Sequence, residues 1–315
     1  MKIGFAILNY NNYQDTIDCV NSLLSCLYQK ENQGIAQVKI LIIDNCSSNN
    51  SINQIQSFIK TLNLNSDISL HLLKLDRNYG YAGGNNLGLK YLFEKNNCDV
   101  VFVVNNDLLF HKVSLRELME NIRINNECLF GALLYDRCKG AYIYGGAIFN
   151  EIYFHSRNVY LPSKISTLNK REMFYLTGAF LGFTKAIYQS LGGFLEDYFL
   201  YFEELEYFYR YKKIFKKFPE VKVLESWVVI HKIGGSTGQS INLSKKSLLS
   251  EYYSARARIL FAKDCLPFFL PSAIIYNIFL MAHRLIRGFY KNFFTIMLAT
   301  VNGLLDERGI KLKYH

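Results

Sequence analysis

Val100-Val101-Phe102-Val103-Val104-Asn105-Asn106-Asp107 is a run of five strand formers that breaks into two amides and a carboxylate. An unbroken apolar series of this kind reads as a strand buried on both faces, as in a parallel sheet covered by helices. The acid then falls where the strand meets solvent. In open α/β sheets that edge is where ligands bind, and a carboxylate there can hold a divalent cation against a diphosphate.

The same pattern recurs upstream. Residues 3–8 read as a buried strand, Asn9-Tyr10-Asn11-Asn12 as a polar loop, and residues 13–27 as a helix with Ile17, Val20, Leu23, Leu24 and Leu27 on one face. Val38 to Ile43 forms a second strand ending at Asp44, and Ser47, Ser48 and Asn49 offer caps for a helix carrying Ile52, Ile55, Ile59 and Leu62. A third strand runs from about Leu70 to Leu75. After it come the glycine-rich stretch Gly80-Tyr81-Ala82-Gly83-Gly84-Asn85-Asn86 and a helix with Leu87, Leu89, Tyr91 and Leu92. Four alternations of strand and helix predict an α/β, Rossmann-like, mostly parallel sheet flanked by helices, with right-handed crossovers. Around 140–180 the pattern loosens into an α+β continuation. Further helices are expected from about 203 to 213 and 248 to 263.

Half of the 315 residues are hydrophobic and 15% aromatic, which supplies a large core and excludes a disordered chain. The net charge of +10 is uneven: residues 205–315 carry 18 Lys+Arg and 7 Asp+Glu, whereas residues 1–204 carry 18 and 19. The basic third also holds long apolar stretches, which favours a membrane surface over nucleic acid. Seven scattered cysteines without a CxxC pair argue against a disulfide framework or zinc cluster and fit a reducing cytoplasm. Met1-Lys2 leads directly into the first strand, so no signal peptide is expected there.

Taken in order, several motifs resemble family 2 glycosyltransferases of the GT-A fold, especially the branch with bacterial rhamnosyltransferases. They are Leu8-Asn9-Tyr10-Asn11, Ile43-Asp44-Asn45-Cys46-Ser47-Ser48, Asn78 to Asn86, Asn105-Asn106-Asp107, Gly178-Ala179, Glu203-Glu204-Leu205-Glu206 and His231. The resemblance spans residues 1–263, leaving 264–315 as a helical, basic and apolar appendage. It implies an enzyme that takes a sugar from a UDP- or dTDP-linked donor with the help of Mg²⁺ or Mn²⁺.

Tyr10 can lie against a nucleobase or be an ordinary loop tyrosine. Asp44, with Asn9 in the motif before it, can accept from a pyrimidine or ribose, or cap the following helix. The glycines around Gly83 can let backbone N–H groups approach an anion, or simply make a tight turn. The resemblance gives Asn85 and Asn86 a donor-side role and places Asn106 beside them in the donor site. Asp107 is the leading metal ligand, with His231 as a second ligand or a hydrogen-bond donor to a phosphate oxygen. The family's usual Asp-x-Asp is here Asn105-Asn106-Asp107, so metal and donor are expected to bind together.

Glu204 matches the family's catalytic base, where Asp is usual, and Gly178-Ala179 are expected near the acceptor. Glu203 and Glu206 read as a solvated charged face, with Glu206 pairing Arg210 at i+4. Arg256 matches a family arginine that could neutralise the leaving diphosphate, whereas Arg258 and Lys263 read as solvated. In the tail, Leu266 to Ala282 is uncharged but short for a bilayer. An interfacial helix with Arg284, Arg287 and Lys291 at headgroups is expected, with a helical cap or a homodimer contact as alternatives.

The expected function is an inverting glycosyltransferase that transfers rhamnose or a hexose to a hydroxyl of a lipid-linked or growing surface glycan. It would be peripheral at the cytoplasmic face of the membrane. The alternatives are a nucleotidyltransferase that makes the activated sugar and a non-catalytic nucleotide-sugar-binding protein.

Overall fold

The computed structural model describes residues 1–136, 139–232 and 247–310. The expected alternation is present as β1 (Lys2–Asn9), α1 (Tyr13–Leu27), β2 (Gln37–Asp44), α2 (Ser51–Thr61), β3 (Ile68–Lys74), α3 (Gly80–Lys90) and β4 (Val100–Asn105). These four strands pair in parallel in the order β3-β2-β1-β4. Their register sets Asn9 opposite Asp44 and Leu8 opposite Asn105, so the carboxyl ends of β1, β2 and β4 are level along one edge.

The chain continues through β5 (Leu108–Lys112), α4 (Leu115–Ile124), β6 (Cys128–Asp136), β7 (Ala141–Tyr144), β8 (Gly146–Asn150), β9 (His155–Asn158), β10 (Glu172–Leu176), β11 (Phe180–Thr184) and α5 (Lys185–Leu191). It ends with α6 (Glu203–Phe215), β12 (Glu220–His231), α7 (Leu248–Cys265), α8 (Leu270–Ile286) and α9 (Tyr290–Leu304). The large sheet extends past β4 as β11-β6-β12-β5, with β7 paired to β6. β11 is antiparallel to both neighbours, and β12 is parallel to β6 but antiparallel to β5. The sheet is therefore mixed beyond its parallel half. β10-β8-β9 form a separate antiparallel sheet.

One connection shapes the whole sheet. Only Asn106 and Asp107 join β4 to β5, yet β11, β6 and β12 lie between those strands in the sheet order. The three Cα–Cα steps from Asn105 to Leu108 reach about 10–11 Å at most, whereas four strand spacings of about 4.8 Å would separate β4 from β5 in a flat sheet. The sheet must curl until its far edge strand returns to the end of β4.

Strand residues feed two cores alternately, which is why the strands read as continuous apolar runs. Phe5, Ile40, Ile42, Phe102 and Val104 enter one cluster, and Ala6, Leu41, Ile43, Val101 and Val103 the other. In the first cluster Phe102 stacks against Phe5, Phe180 and Trp227, with centroids 5.0–5.4 Å apart. Such ring pairs add about 0.5–1.5 kcal/mol each beyond area burial.

α7 is buried nearly all round, with Tyr252, Tyr253 and every residue from Ala255 to Ala262 enclosed. α8 and α9 pack against it. Arg284 is not at a headgroup position: it is buried and makes an ion pair of 2.7 Å with Glu251 of α7. Arg287 and Lys291 are exposed. With the turn that precedes α8, Pro267–Ile286 is long and apolar enough to cross a membrane by length and composition. Its inner side, however, is docked on α7 through Arg284 and Asn277. The outer side exposes Ile275, Ile278, Phe279, Leu285 and Ile286, a single helical stripe.

Candidate active site

The level carboxyl ends of the parallel strands gather polar side chains that the apolar strand interiors exclude. Asn9 and Asp44 are both fully buried there. Asn9 Nδ2 donates to Asp44 Oδ2 at 2.7 Å, and Asp44 also accepts from the backbone N–H and hydroxyl of Ser47. Asn11 accepts from the N–H groups of Ser48 and Asn49, so the loops after β1 and β2 are stitched together. Tyr10, half-buried, sits on that stitched loop. Asn106 donates to the Asn12 carbonyl and the Thr16 hydroxyl, tying the end of β4 to α1. The strand-end amides thus build a rigid floor.

The glycine-rich stretch is not a loop. α3 begins at Gly80, and only Gly80 has a left-handed φ, +73°. Gly84 brings the helix onto β1, where a Cβ would lie 2.6 Å from Leu8 Cδ1, while a Cβ on Gly83 would lie 2.8 Å from Tyr79 Cβ at the helix's own start. Asn86 clamps the segment before α6, accepting from Phe194 N–H and donating to the Phe194 carbonyl and Glu196. Asn85 donates to the Tyr81 carbonyl, while its buried Oδ1 has no partner. The small residues at these positions let α3 pack closely against β1.

Asp107 lies at the corner between β4 and β5. β12 pairs with β5 so that His231 faces Leu108, which brings His231 Nε2 to 3.1 Å from Asp107 Oδ2. Burial disfavours protonation of the imidazole, but the hydrogen bond and negative charge of Asp107 outweigh it and raise its pKa above the ordinary value. Asp107 Oδ1 is buried and unpartnered. A free carboxylate oxygen and an imidazole nitrogen at one corner suit a hard divalent cation such as Mg²⁺ or Mn²⁺, which takes oxygen ligands and keeps positions for phosphate and water. Among the described residues no group of three or more His, Cys, Asp or Glu could hold a metal, so substrate oxygens would have to complete the shell.

The second acid reaches the same edge through β11, which runs antiparallel to β4. The Asn105 N–H donates to the Ala179 carbonyl, and the neighbouring Gly178 backbone N–H faces the Glu204 carboxylate. Tyr81 of α3 donates to the Gly178 carbonyl. The chain enters α6 through Phe199, Tyr201 and Phe202, all with φ of 70–72°. Non-glycine residues rarely hold that conformation; it costs about 1–3 kcal/mol each and clusters at functional sites.

Glu203 and Glu206 are buried, not solvated. The aromatic surroundings of α6 close over both, and Glu206 takes the expected 2.8 Å bond from Arg210. Glu203 has an unpartnered Oε1, and burial followed by repulsion from Glu204 pushes its pKa up to about 8. Glu204, half-buried, is also raised by burial, with backbone N–H groups acting against the shift.

The two arginines of α7 are both buried. Arg256 is fully buried and donates to the carbonyls of Tyr198 and Gly309, braced over Tyr252 and Tyr253. These contacts anchor it between α7, the segment before α6 and the segment after α9. Arg258, expected on a solvated face, is buried against Tyr276 and Phe202. Lys263 instead bridges to Asp306. One signal could have revealed this: the α7 sequence has no polar stripe, so an arginine on it has no solvated face to occupy.

Comparison with known proteins agrees with this architecture. The family model for glycosyl transferase family 2 matches residues 5–192, more than half of the chain, and the chain belongs to that family. The low-salt glycan biosynthesis hexosyltransferase Agl10 of Haloferax volcanii is 26% identical over 213 residues, covering 67% of this chain and 62% of that protein. The chain therefore matches less than two thirds of that relative's length. Among solved structures, GalNAc-T7 with UDP, GalNAc and Mn²⁺ superposes with a TM-score of 0.58 at 13% identity, over 84% of this chain and 48% of that one. The mannosyltransferase PcManGT of Pyrobaculum calidifontis, in complex with GDP-Man and Mn²⁺, gives 0.54 at 11% identity, over 97% and 87%. The fold is GT-A.

Proposed function

We propose that this chain transfers a hexosyl or rhamnosyl residue from a nucleoside-diphosphate sugar, UDP- or dTDP-linked, to a hydroxyl of a lipid-linked or growing surface glycan, with inversion. The observation that carries this reading is the Asp107–His231 corner, with its unpartnered carboxylate oxygen, on the same sheet edge as Glu204. Glu204 takes the acceptor hydroxyl proton as that oxygen bonds to the anomeric carbon, and the bond from the anomeric carbon to phosphate breaks. The nucleoside diphosphate leaves with the electron pair. A positioned base of this kind contributes about 10²–10⁴-fold. Glu203, the more deeply enclosed acid, keeps its proton and leaves Glu204 to ionise, as neighbouring carboxyls share one charge. Asp107 and His231 would hold the divalent cation, which would supply charge neutralisation of the leaving diphosphate. Asn9, Asp44 and Tyr10 form the side of the edge where the nucleoside would rest. The hexosyltransferase relative and the nucleotide-sugar complexes of the structural neighbours support this donor class.

The apolar outer stripe of α8 and the exposed Tyr290, Phe294, Met297 and Val301 of α9 belong to two helices that pack against each other. Exposed apolar side chains so concentrated mark an interaction surface. We place it against the cytoplasmic face of a membrane, where a lipid-linked acceptor would be presented, and take residues 264–315 as the segment that docks there.

A thermal-shift screen of UDP-, dTDP- and GDP-sugars with Mn²⁺ tests the donor reading; a bound donor at 100 times its Kd adds about 2.7 kcal/mol of stability. The reading is overturned if no nucleotide sugar stabilises the protein, or if Asp107→Ala and Glu204→Gln both retain full transfer at saturating donor.

A further inference from the structure

Beneath α8, a pocket of about 240 Å³ opens between the small sheet and helices α6 and α7. Its walls include Ser156 and Tyr175 of the small sheet, Phe202 and Glu204 at the start of α6, Arg258 of α7 and Tyr276 of α8. That is room for about one sugar ring, and sugars pack their C–H faces on aromatic rings such as these.

The pocket has an acid in one part of its wall and a cation in another. Arg258 is 8% exposed. Its guanidinium lies 4.6 Å from the Tyr276 ring centre, and Nη1 donates to Asn277 Oδ1. Asn277 is itself fixed by donating to the Ala255 carbonyl and the Thr300 hydroxyl. Arg258 Nε has no partner, and among the described residues Arg258 makes no ion pair. Arg284, at similar depth, shows the contrast: its charge is met by Glu251. Glu251 favours the charge of Arg258 from beyond contact distance but is itself committed to Arg284. A guanidinium enclosed without a contacting counter-ion is disfavoured, and apolar residues of similar size would pack as well on so buried a helix. His155, the other basic group of the pocket, donates no second charge: burial first, and then the charge of Arg258, lower its pKa.

We infer that this pocket is the acceptor subsite and that it selects a sugar bearing an anionic group, held by Arg258, while a hydroxyl of the same sugar meets Glu204. This rests on Glu204 being the base. The anion has two chemical sources, a phosphate on the glycosidic oxygen, as in a lipid-linked acceptor, or the carboxylate of an acidic sugar. Tyr276 is carried by the helix whose outer side is the exposed apolar stripe, so a phosphate entering from a lipid surface would have a short path to Arg258.

The test uses the full chain loaded with saturating UDP and Mn²⁺, so that the donor side is filled. Methyl α-glucoside, methyl α-glucuronide and glucose 1-phosphate are then titrated by calorimetry. At least one anionic sugar is expected to bind about tenfold more tightly than the neutral one, the range of a single charge-assisted contact. A preference for glucose 1-phosphate identifies the phosphate source, and one for the glucuronide the acidic sugar. Arg258→Gln is expected to bring all three probes within about twofold, and Arg258→Lys to keep part of the preference. Equal binding of the three sugars to the wild type, or an undiminished anion preference in Arg258→Gln, overturns the inference. If Arg258→Gln does not fold, the wild-type series and the Lys variant still decide. Failure of the base assignment reads out separately, as full transfer by Glu204→Gln, and failure of the donor site as no stabilisation by UDP and Mn²⁺.

Discussion

His231 Nε2 stands 3.1 Å from Asp107 Oδ2 although 124 positions separate the two residues, and the backbone N–H of Lys232 fixes the pair by donating to the Asp107 carbonyl at 2.8 Å. Lys232 then anchors to Asp15 and Asp18 of α1, so the corner is braced from three elements. Asp107→Asn keeps this shape and removes the charge. We expect Mn²⁺-dependent stabilisation by a nucleotide sugar to disappear and transfer to drop about 10²-fold or more. Calorimetric titration of Mn²⁺ in the presence of donor checks this, and undiminished metal uptake by the variant would falsify the assignment.

Glu203 carries a pH dependence with a definite sign. Its folded pKa, about 8, lies above that of the unfolded chain, so the native state holds a proton that the unfolded state has lost. Its stabilising contribution is complete below the ordinary carboxylate range and declines by up to about 1.4 kcal/mol per pH unit until pH passes 8. Glu203→Gln removes this dependence. Urea melts from pH 5 to 9 are expected to show the variant gaining on the wild type up to about pH 8 and levelling off beyond; parallel curves would refute a protonated Glu203.

Gly83 separates packing from ligand approach. An alanine there puts its Cβ 2.8 Å from Tyr79 Cβ, which the helix start holds in place. The expected loss is about 1–3 kcal/mol in denaturant unfolding. A variant of unchanged stability that bound donor poorly would return the glycines to a ligand role.

Arg284 and Glu251 form a pair 2% exposed on both sides. Arg284→Met strands the carboxylate and is expected to destabilise by about 3–5 kcal/mol, while Arg284→Met combined with Glu251→Leu should recover most of that loss. If the double variant is no better than the single one, the pair is not what joins α8 to α7.

The outer stripe of α8 is the element assigned to the membrane. Ile278→Glu with Phe279→Glu places two charges on it without touching the docked side. Sedimentation with vesicles containing anionic lipid should show a loss of about tenfold or more in partitioning. Binding that persists in the double variant would move the attachment elsewhere, and a change in oligomeric state instead would assign the stripe to a second copy of the chain.

The parallel half of the fold was legible because both cores are fed by alternate residues of the same strands, leaving long apolar runs between turn signals. The corner at Asp107 was legible for the same reason: Val100 to Val104 could only be interior, and what followed could only be an edge. The partnership with His231 was visible only through family resemblance, since it depends on β12 meeting a strand at the far end of the sheet. Gly80 to Asn86 was read as a loop because glycine signals both turns and close approach, and the proximity of Leu8 that lets a helix start there is not local in the sequence. The left-handed backbone at Phe199, Tyr201 and Phe202 leaves no mark in the sequence, because aromatic residues are not expected there. Glu203 was assigned to solvent and Arg284 to lipid headgroups by their charge, which local spacing cannot correct when the burying surface comes from another element.

The two-residue passage from β4 to β5 has a consequence for how this scaffold can change. A segment with no spare length admits no insertion: one added residue would slide β5 along β12 and turn its side chains to the opposite face. Retailoring the enzyme to a new sugar would thus have to come from exchanging side chains or lengthening other surface loops, with the Asp107–His231 corner as the fixed point around which variation is organised.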